Sequence, residues 1–385
     1  MKKILFIVHN LKFGGIQKIT VELARKHASL GNEVHILCLE KGQSIDIDFE
    51  CHQHVLNVKQ FLKTNPLLGI YYFFYKTILR YLLPGSEFYL SKSIFKPQIL
   101  TLLSQLEVDH KFDAIFIRGL RSIKRVWWLK RADSVCSLHL PYELKTSDKP
   151  LLKSYYKWIG KSLFEGKLFF GVSDHIVLPL VQSLKKDNIS TRYFKTIHNP
   201  CDIKRVKALS EEHQELEAGK YILGVGRLTK QKRFDVLIKA FHQLNTKDYK
   251  LVILGEGNQR KELEKLINDL ELTDSVIMPG FVSNPYPWYK RATLFVLSSD
   301  SEGFGNVIVE ALACGIPVIS TDCGPVSEIL IGRLKAGLIP KGDDKLMAQK
   351  INEYLSNPIM PLEEDVEAFS FENVISEQIG LITEH

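Results

Sequence analysis

The sequence has few cysteines, and they lie far apart. Its 385 residues include six, and no pair has the spacing of a metal site. So few thiols do not make a disulfide framework, and we expect them to be reduced, as in a cytoplasmic protein. The six are Cys38, Cys51, Cys136, Cys201, Cys314 and Cys323.

Long apolar runs and several binding motifs are also missing. The amino-terminal segment MKKILFIVHN begins as a signal peptide does, but its apolar run is short and no small-residue cleavage site follows. We therefore interpret residues 4–8 as a buried strand. No Gly-x-Gly-x-x-Gly pattern follows that strand, which argues against a dinucleotide oxidoreductase. The aromatic–basic signature of an RNA-binding sheet is absent as well.

The two halves of the chain differ in charge. The net charge is +7, yet residues 1–200 hold 30 basic and 16 acidic side chains, while residues 201–385 hold 21 basic and 28 acidic. Residues 351–385 contain eight acids and no Lys or Arg. This pattern predicts that only the amino-terminal half faces an anionic partner, which could be nucleic acid, a membrane surface or a charged glycan.

The order of the predicted elements indicates an α/β fold. A strand at 4–8, a helix at 16–30 that ends at Gly31 and a strand at 33–39 make a βαβ opening. The alternation starts again after about residue 202. A chain of 385 residues is longer than one hydrophobic core usually accommodates. The two blocks therefore predict two doubly wound domains in tandem. The other predicted strands are 114–117, 134–138, 221–225, 251–254, 276–278, 294–297 and 317–320, and the other helices are 234–244, 260–270 and 306–314.

Residues 67–83, LLGIYYFFYKTILRYLL, are almost entirely apolar and aromatic. Lys76 and Arg80 interrupt them one helical turn apart. Seventeen residues with two central charges make a poor membrane span. Two interpretations remain open: a helix in the membrane interface with a cationic edge, or a helix buried in its own domain.

Lysines recur every fourth residue at Lys145, Lys149, Lys153, Lys157 and Lys161. This spacing predicts one broad helical face, with aromatic residues interleaved. A solvated helix face is one interpretation. Like charges at this spacing repel each other, however, and an anionic partner would relieve that cost, so we favour contact with a membrane surface.

The segment 301–315, SEGFGNVIVEALACG, follows a predicted strand and leads into a predicted helix. Its glycines allow close approach of a ligand, and the free N–H groups of a helix start bind anions. Glu302 lies in the loop and Glu310 lies eight residues later, two helical turns on. The two carboxylates could hold hydroxyls at opposite ends of one ligand. The alternatives are a capping acid for Glu302 and a surface acid for Glu310.

A second segment, GVGRLTKQKRFD at 224–235, lies at the end of another predicted strand. Ligands of doubly wound sheets bind at such strand ends. Arg227 and Lys232 bracket a short loop there, and the two cations suit a diphosphate. Lone cations on loops are usually only solvated, but the neighbouring acidic motif favours a binding role.

These motifs make the chain resemble the retaining glycosyltransferases of family 4. Glu302 and Glu310 match that family's Glu-x7-Glu motif, and Arg233 departs from it, since the family usually has Gly there. Further matches are Phe13-Gly14-Gly15, Ser137-Leu138-His139, Gly171-Val172-Ser173, His198-Asn199-Pro200-Cys201-Asp202 and the set Gly226, Arg227, Leu228, Lys232, Phe234 and Asp235.

The resemblance implies a GT-B fold, in which two Rossmann-like domains face each other across a cleft. Residues 1–203 would bind the acceptor and face the membrane, and residues 204–366 would bind the nucleotide sugar. A last helix at about 367–385 would cross back to the first domain. The resemblance also implies a UDP-sugar donor, a glycan or glycolipid acceptor in lipopolysaccharide or capsule synthesis, retention of anomeric configuration and no metal or other cofactor.

The same resemblance implies roles for single residues. Arg227 and Lys232 would bind the donor diphosphate, and Glu302 would hold the transferred sugar. Glu310 would hold the ribose, and His139 would contact the sugar. Backbone groups would bind the rest of the donor at Gly14, Gly15, Gly226, Gly303, Phe304, Gly305, Asn306 and Val307.

These expectations place the protein in the cytoplasm, peripheral at the inner face of the cell membrane. The residues predicted to touch the membrane are Lys76, Arg80, Lys149, Lys153, Lys157 and Lys161. The assigned partners are the donor, the acceptor and an anionic membrane, and nucleic acid is not among them. The alternatives are a nucleotide-sugar epimerase or another enzyme of this fold, and a non-enzymatic membrane-surface binder.

Overall fold

The computed structural model describes residues 1–12, 14–42, 45–82, 88, 91–212, 219–244 and 246–385. Phe13, residue 83 of the apolar segment and the Arg80 side chain lie outside this description. The chain forms two compact units: residues 1–198 with 375–385, and residues 199–374. Glu377 of the last helix lies 3.5 Å from Lys195 within the first unit.

The first unit contains a parallel sheet of seven strands in the order β3-β2-β1-β4-β5-β6-β7. The strands are β1 Lys3–Val8, β2 Glu33–Cys38, β3 His52–Val55, β4 Ala114–Arg118, β5 Ser134–Leu138, β6 Leu168–Gly171 and β7 Tyr193–Thr196. The α-helices are Gly15–Ser29, Val58–Thr64, Pro66–Phe74, Arg80–Leu82, Lys96–Leu106, Leu120–Arg125, Pro150–Phe164 and Asp174–Lys186, with π-helical turns at Tyr75–Leu79 and Ser91–Phe95.

The second unit contains a parallel sheet of six strands in the order β10-β9-β8-β11-β12-β13. The strands are β8 Tyr221–Val225, β9 Lys250–Leu254, β10 Val276–Gly280, β11 Leu294–Leu297, β12 Val318–Thr321 and β13 Leu338–Ile339. The α-helices are Ile203–Ser210, Phe234–Leu244, Arg260–Asp269, Tyr286–Arg291, Asn306–Ala313, Asp344–Ser356 and Glu364–Glu367. The last helix, Phe371–Thr383, begins in this unit and belongs to the first unit from Ile375 on. Short 3-10 helices occupy Lys230–Lys232, Pro325–Glu328 and Gly332–Gly337.

Both sheets reverse their strand order beside the first strand of the unit. β8 pairs with β9 on one side and with β11 on the other, and β1 lies in the same way between β2 and β4. Connections leave such a switch point in opposite directions, so a crevice opens at the carboxyl ends of these strands. In the second unit the segments after β8 and β11 occupy this edge, and they are the two motif segments.

The structure confirms the two doubly wound sheets and the predicted strands of the second unit. Four strands were missed: β3, β6, β7 and β13. Central strands such as β1 are buried along their whole length, which gives the continuous apolar runs that the prediction relied on. β3 is a polar edge strand, HQHV, and has no such run.

Two expectations about helices need correction. The helix Pro150–Phe164 begins after Lys149, so Lys145 and Lys149 are not part of a helical stripe, because a proline starts the helix. The interpretation of residues 67–83 as a core helix is wrong. None of the side chains described in Pro66–Phe74 and the π-helical turn Tyr75–Leu79 is buried.

Candidate active site

A lysine–glutamate pair joins the two motif segments of the second unit. Lys232 Nζ donates to Glu302 Oε1 at 2.6 Å, and Ser299 Oγ donates to the same oxygen at 2.7 Å. The Lys232 and Glu302 side chains are only 15% and 11% exposed. Water screens a pair at this depth less than a surface pair. The pair therefore fixes a cation and a carboxylate at the carboxyl edge of the sheet.

Gly226 leaves room for the lysine. Its N–H donates to the Leu254 carbonyl at 3.0 Å, and a Cβ added there would lie 3.3 Å from Lys232 Cε. The next residue, Arg227, is exposed. Among the described residues no hydrogen bond or ion pair engages its guanidinium. One cation of this loop is thus held in place and the other is available to a ligand.

Two further glycines support this loop, and the sequence analysis missed them. A Cβ at Gly255 would lie 1.9 Å from the Gly226 carbonyl oxygen, and a Cβ at Gly257 would lie 2.2 Å from that of Leu228. Gly255 also has a φ of +139°, which favours glycine. The signal was the Gly-Glu-Gly sequence after the predicted strand 251–254.

Arg233 has a left-handed backbone, with φ 49° and ψ 40°. This conformation explains why the resembled family usually has glycine here, since glycine adopts it without strain. The Arg233 guanidinium lies 3.0 Å from Asp235 Oδ1 and 3.2 Å from Asp300 Oδ1. The hydrogen bond to Asp235 raises the pKa of Arg233, and the charge of Asp300 adds to it. Two carboxylates thus hold this guanidinium beside a cavity of about 490 Å³.

The Gly-rich loop leads into the helix Asn306–Ala313 through Gly305, whose φ is +105°. The Phe304 ring is buried against Phe369, with centroids 5.7 Å apart. Asn306 Oδ1 accepts from Asn199 Nδ2 at 3.1 Å. No side chain caps this helix, so Glu302 is not a capping acid. The Ile308 N–H donates to the Gly305 carbonyl at 2.8 Å. The first N–H groups of a helix have no partner within it, which suits an anionic ligand.

Glu310 lies inside the helix and is buried, with 8% of its surface exposed. It is therefore not a surface acid. Tyr286 Oη donates to Glu310 Oε1 at 3.4 Å. Burial raises the pKa of the nearby Cys314 to about 12, and the Glu310 charge contributes to the shift. A buried carboxylate near tyrosine and thiol groups can accept hydrogen bonds from ligand hydroxyls.

His139 follows β5 in the first unit, and its side chain is buried. Its Nε2 lies 2.9 Å from Ser137 Oγ. Burial lowers the pKa of His139 well below its usual value, and the charge of Arg118 lowers it further. The imidazole is therefore neutral at pH 7. Arg118 is also buried, no described group hydrogen-bonds its guanidinium, and burial lowers its pKa to about 9.

Gly14 and Gly15 begin the first helix of the same unit. The Gly14 carbonyl accepts from the Lys18 N–H at 3.0 Å, and a Cβ at Gly14 would lie 2.4 Å from Gln17 Oε1. The candidate site residues thus form two groups. The second unit brings together Gly226, Arg227, Lys232, Glu302, Gly303, Phe304, Gly305, Asn306, Val307 and Glu310, and the first unit holds Gly14, Gly15 and His139.

Residues 206–370 match the family model of glycosyl transferases group 1. The matched residues all lie in the second unit. A relative from Campylobacter jejuni, N-acetylgalactosamine-N,N'-diacetylbacillosaminyl-diphospho-undecaprenol 4-alpha-N-acetylgalactosaminyltransferase, is 29% identical over 90% of this chain and 87% of its own. The capsular polysaccharide biosynthesis glycosyltransferase CapM of Staphylococcus aureus is 30% identical over 39% of this chain and 40% of its own.

Solved structures match this chain over its whole length. Anabaena HepE, in complex with UDP and glucose, is 17% identical with a TM-score of 0.65, over 100% of this chain and 98% of that one. A glycosyltransferase from Rickettsia africae is 17% identical with a TM-score of 0.70, over the same shares of the two chains. At this identity the likeness shows the fold, and the predicted GT-B fold is confirmed.

The first unit exposes an apolar surface on residues 66–82, which we call the apolar helix. Lys76 lies on it, with Nζ 4.8 Å from the Tyr72 ring. Within the described residues, no helix combines the length and the apolarity that crossing a bilayer requires. The exposed fractions are Leu67 83%, Ile70 68%, Phe73 70%, Phe74 44%, Ile78 42%, Tyr81 69% and Leu82 70%.

The helix Pro150–Phe164 presents a mixed surface. Lys153 and Lys157 are exposed, while Lys161 is half-buried, 3.5 Å from Glu165. Leu151 is 88% exposed at the start of this helix. Lys145 and Lys149, which precede the helix, are exposed as well, so only Lys161 of the five spaced lysines is partly buried, and apolar side chains accompany them.

Proposed function

We propose that the protein is a retaining glycosyltransferase that moves a sugar from a nucleotide-diphosphate donor to a lipid-linked, lipopolysaccharide or capsule glycan. The observation that carries the proposal is the Lys232–Glu302 pair beside the start of the helix that contains the buried Glu310. The cation and the helix start suit the phosphates of a ligand. The two carboxylates suit hydroxyl groups on either side of those phosphates.

In this proposal Lys232 and Arg227 bind the diphosphate and stabilise the charge that builds up as the nucleotide leaves. Preorganised cations at a developing charge are a large source of rate enhancement. Glu302 accepts from hydroxyls of the sugar, and Glu310 accepts from those of the ribose. The chemistry assigned to these residues requires no metal. The roles of His139, Gly14 and Gly15 stay predictions.

The donor class rests on the site and on relatives. HepE was solved with UDP and glucose, and that ligand pairing motivates a UDP-sugar here. The Campylobacter relative is named for a diphospho-undecaprenol acceptor, which motivates a lipid-linked acceptor. The first unit has a basic pocket of about 340 Å³ lined by His9, Arg121, Lys124 and Arg125, and such a pocket suits an anionic acceptor group.

The apolar helix and the exposed lysines support binding to the inner face of an anionic membrane. Apolar side chains at the interface with cations beside them are the usual means of peripheral attachment. Of the lysines and arginine assigned to this contact, Lys76, Lys149, Lys153 and Lys157 are exposed. The membrane contact remains part of the proposal.

The decisive test is a transfer assay with a panel of UDP-sugars and glycolipid acceptors. We expect Lys232→Ala to lower transfer at least about 100-fold while the fold survives, since removing one stabilising group at a developing charge costs this much. We expect Glu310→Ala to lower transfer as well, because the ribose loses its carboxylate partner. Lys230→Ala, two residues away and exposed, is the matched control. Full activity in either site variant would contradict the assignment of that residue to the donor site.

Three further measurements separate the alternatives. NMR of the product gives its anomeric configuration, and inversion would contradict the retaining assignment. Incubation with a UDP-sugar but no acceptor detects an epimerase by the appearance of a second sugar. Assay in EDTA tests the metal-independent chemistry, which requires an unchanged initial rate. A protein that binds vesicles but transfers no sugar would be the non-enzymatic alternative.

A further inference from the structure

Five side chains with metal-binding groups cluster at one edge of the first sheet, and the glycosyltransferase reaction does not use them. β2 and β3 are parallel neighbours, and His35 pairs with His52 while Leu37 pairs with His54. Residues two apart on a strand share a face. Glu33, His35, His52 and His54 therefore lie on one face of the two strands, and β3 is the edge strand.

The contacts within this group are close. His35 Nε2 lies 2.7 Å from Glu33 Oε1, and His35 Nδ1 lies 3.0 Å from His54 Nε2. The rings of His35 and His52 stack with centroids 4.7 Å apart. One ligand atom each from Glu33, His35 and His52 all lie within 4.8 Å of one another. His110 Nε2 is 3.7 Å from Glu33 Oε2.

We propose that Glu33, His35 and His52 bind a divalent metal ion of the zinc type, with His110 as a fourth ligand. Imidazole nitrogens with one carboxylate suit Zn²⁺. His35 binds through Nε2 and carries its proton on Nδ1, which donates to His54 Nε2. Metal-bound histidines usually donate their other N–H to such a partner, which fixes the ring.

The surroundings of the proposed metal site include one side chain that favours binding and one that opposes it. His52 is exposed and gives an ion access from solvent. One group opposes binding: Lys3 Nζ lies 3.4 Å from Glu33 Oε1, although it also donates to the Leu106 carbonyl at 2.6 Å.

The role of the ion is structural. β3 has four residues, and none of them is buried, so apolar burial contributes little to holding this edge strand. An ion bound by residues of β2 and β3 joins the two strands directly. The cluster begins at the first residue of β2, whereas His139 follows the carboxyl end of β5, so the site is separate from the candidate catalytic residues of this unit.

The test uses the full chain, made without a polyhistidine tag and stripped with EDTA. Titration with Zn²⁺ is followed by calorimetry and by thermal unfolding, and Co²⁺ absorption reports coordination number. We expect one ion per chain, a tetrahedral Co²⁺ spectrum and a higher Tm with zinc. His52→Ala should weaken binding at least tenfold, and His242→Ala, an exposed histidine of the second unit, should leave it unchanged.

Two outcomes would overturn the proposal: no stoichiometric binding to the unmodified chain, or equal affinity in His52→Ala. Because His52 is exposed, its replacement leaves the fold intact, and circular dichroism verifies this. The proposal does not rest on the proposed function. Below its Tm, the EDTA-treated protein should still transfer sugar at the same initial rate, so a loss of the metal site leaves the donor-site assignment standing.

Discussion

The two units handle charge in different ways. In the second unit two cations of the candidate site are paired and partly buried, Lys232 with Glu302 and Arg233 with Asp235 and Asp300, and Arg227 of the same site is exposed and unpaired among the described residues. In the first unit Arg118 is buried with no hydrogen-bond partner among the described residues, and Lys153 and Lys157 are exposed. Paired charges suit a site that is organised before its ligand arrives, whereas unpaired charges suit partners that supply the opposite charge themselves.

The largest effect should come from the glycines that support the site of the second unit. Gly255→Ala places a Cβ 1.9 Å from a backbone oxygen, so the loop at 226–228 must move. We expect the free energy of unfolding to fall by about 3 kcal/mol or more and transfer to be lost. Gly31→Ala is the control. It also has a positive φ but open space around it, and should cost about 1 kcal/mol. Urea unfolding measures both, and equal losses would contradict the packing argument.

The second-largest effect should be a difference between the two units in their stability at acidic pH. His27 of the first unit is buried against Phe6 and Phe116, and burial lowers its pKa to about 4. The unfolded chain binds the proton more readily, so this contribution is complete above about pH 6.5 and is lost as the pH falls toward 4. The pKa values of His9, His35, His54 and His139 in the same unit are lowered too.

We therefore expect the first unit to unfold before the second as the pH falls from 7 to 4.5. Within the described part of the second unit the one histidine is His242, and its side chain is exposed. His27→Gln should flatten the pH dependence by up to about 3 kcal/mol at pH 4. Calorimetry at a series of pH values detects the two transitions. A second unit that unfolds first in acid would break the comparison.

The apolar helix supplies a smaller effect. Phe73 is 70% exposed, and burying a phenylalanine in an apolar phase contributes about 1.5–3 kcal/mol. Phe73→Ser should weaken binding to anionic vesicles about tenfold in flotation. Phe281→Ser of the second unit, where Phe281 is 64% exposed, is the matched control and should have no effect. If the unmodified chain does not bind anionic vesicles at low salt, the proposed membrane contact is wrong.

The sequence predicted the fold well where burial repeats along the chain. β8 and the helix Phe234–Leu244 were predicted at the bounds observed, because both lie in the apolar core of their unit. β3 was missed since an edge strand needs no apolar run. The site motifs were found through Glu302 and Glu310, but the support of Gly226 by Gly255 depends on two strands lying side by side. Such contacts follow from tertiary packing and not from local pattern.

Arg233 gives the smallest effect and the finest test of the paired charges. Arg233→Ala removes the contacts with Asp235 and Asp300 but keeps a side chain on a left-handed backbone. Arg233→Gly removes the same contacts and also relieves the strain. The glycine variant should therefore be the more stable of the two by about 1 kcal/mol in urea unfolding. Because the ion pairs of this half-exposed residue contribute about as much, Arg233→Gly should match the unmodified protein within about 1 kcal/mol. If the alanine variant is as stable as the glycine variant, the backbone at 233 carries no strain and another cause must explain the glycine of the family.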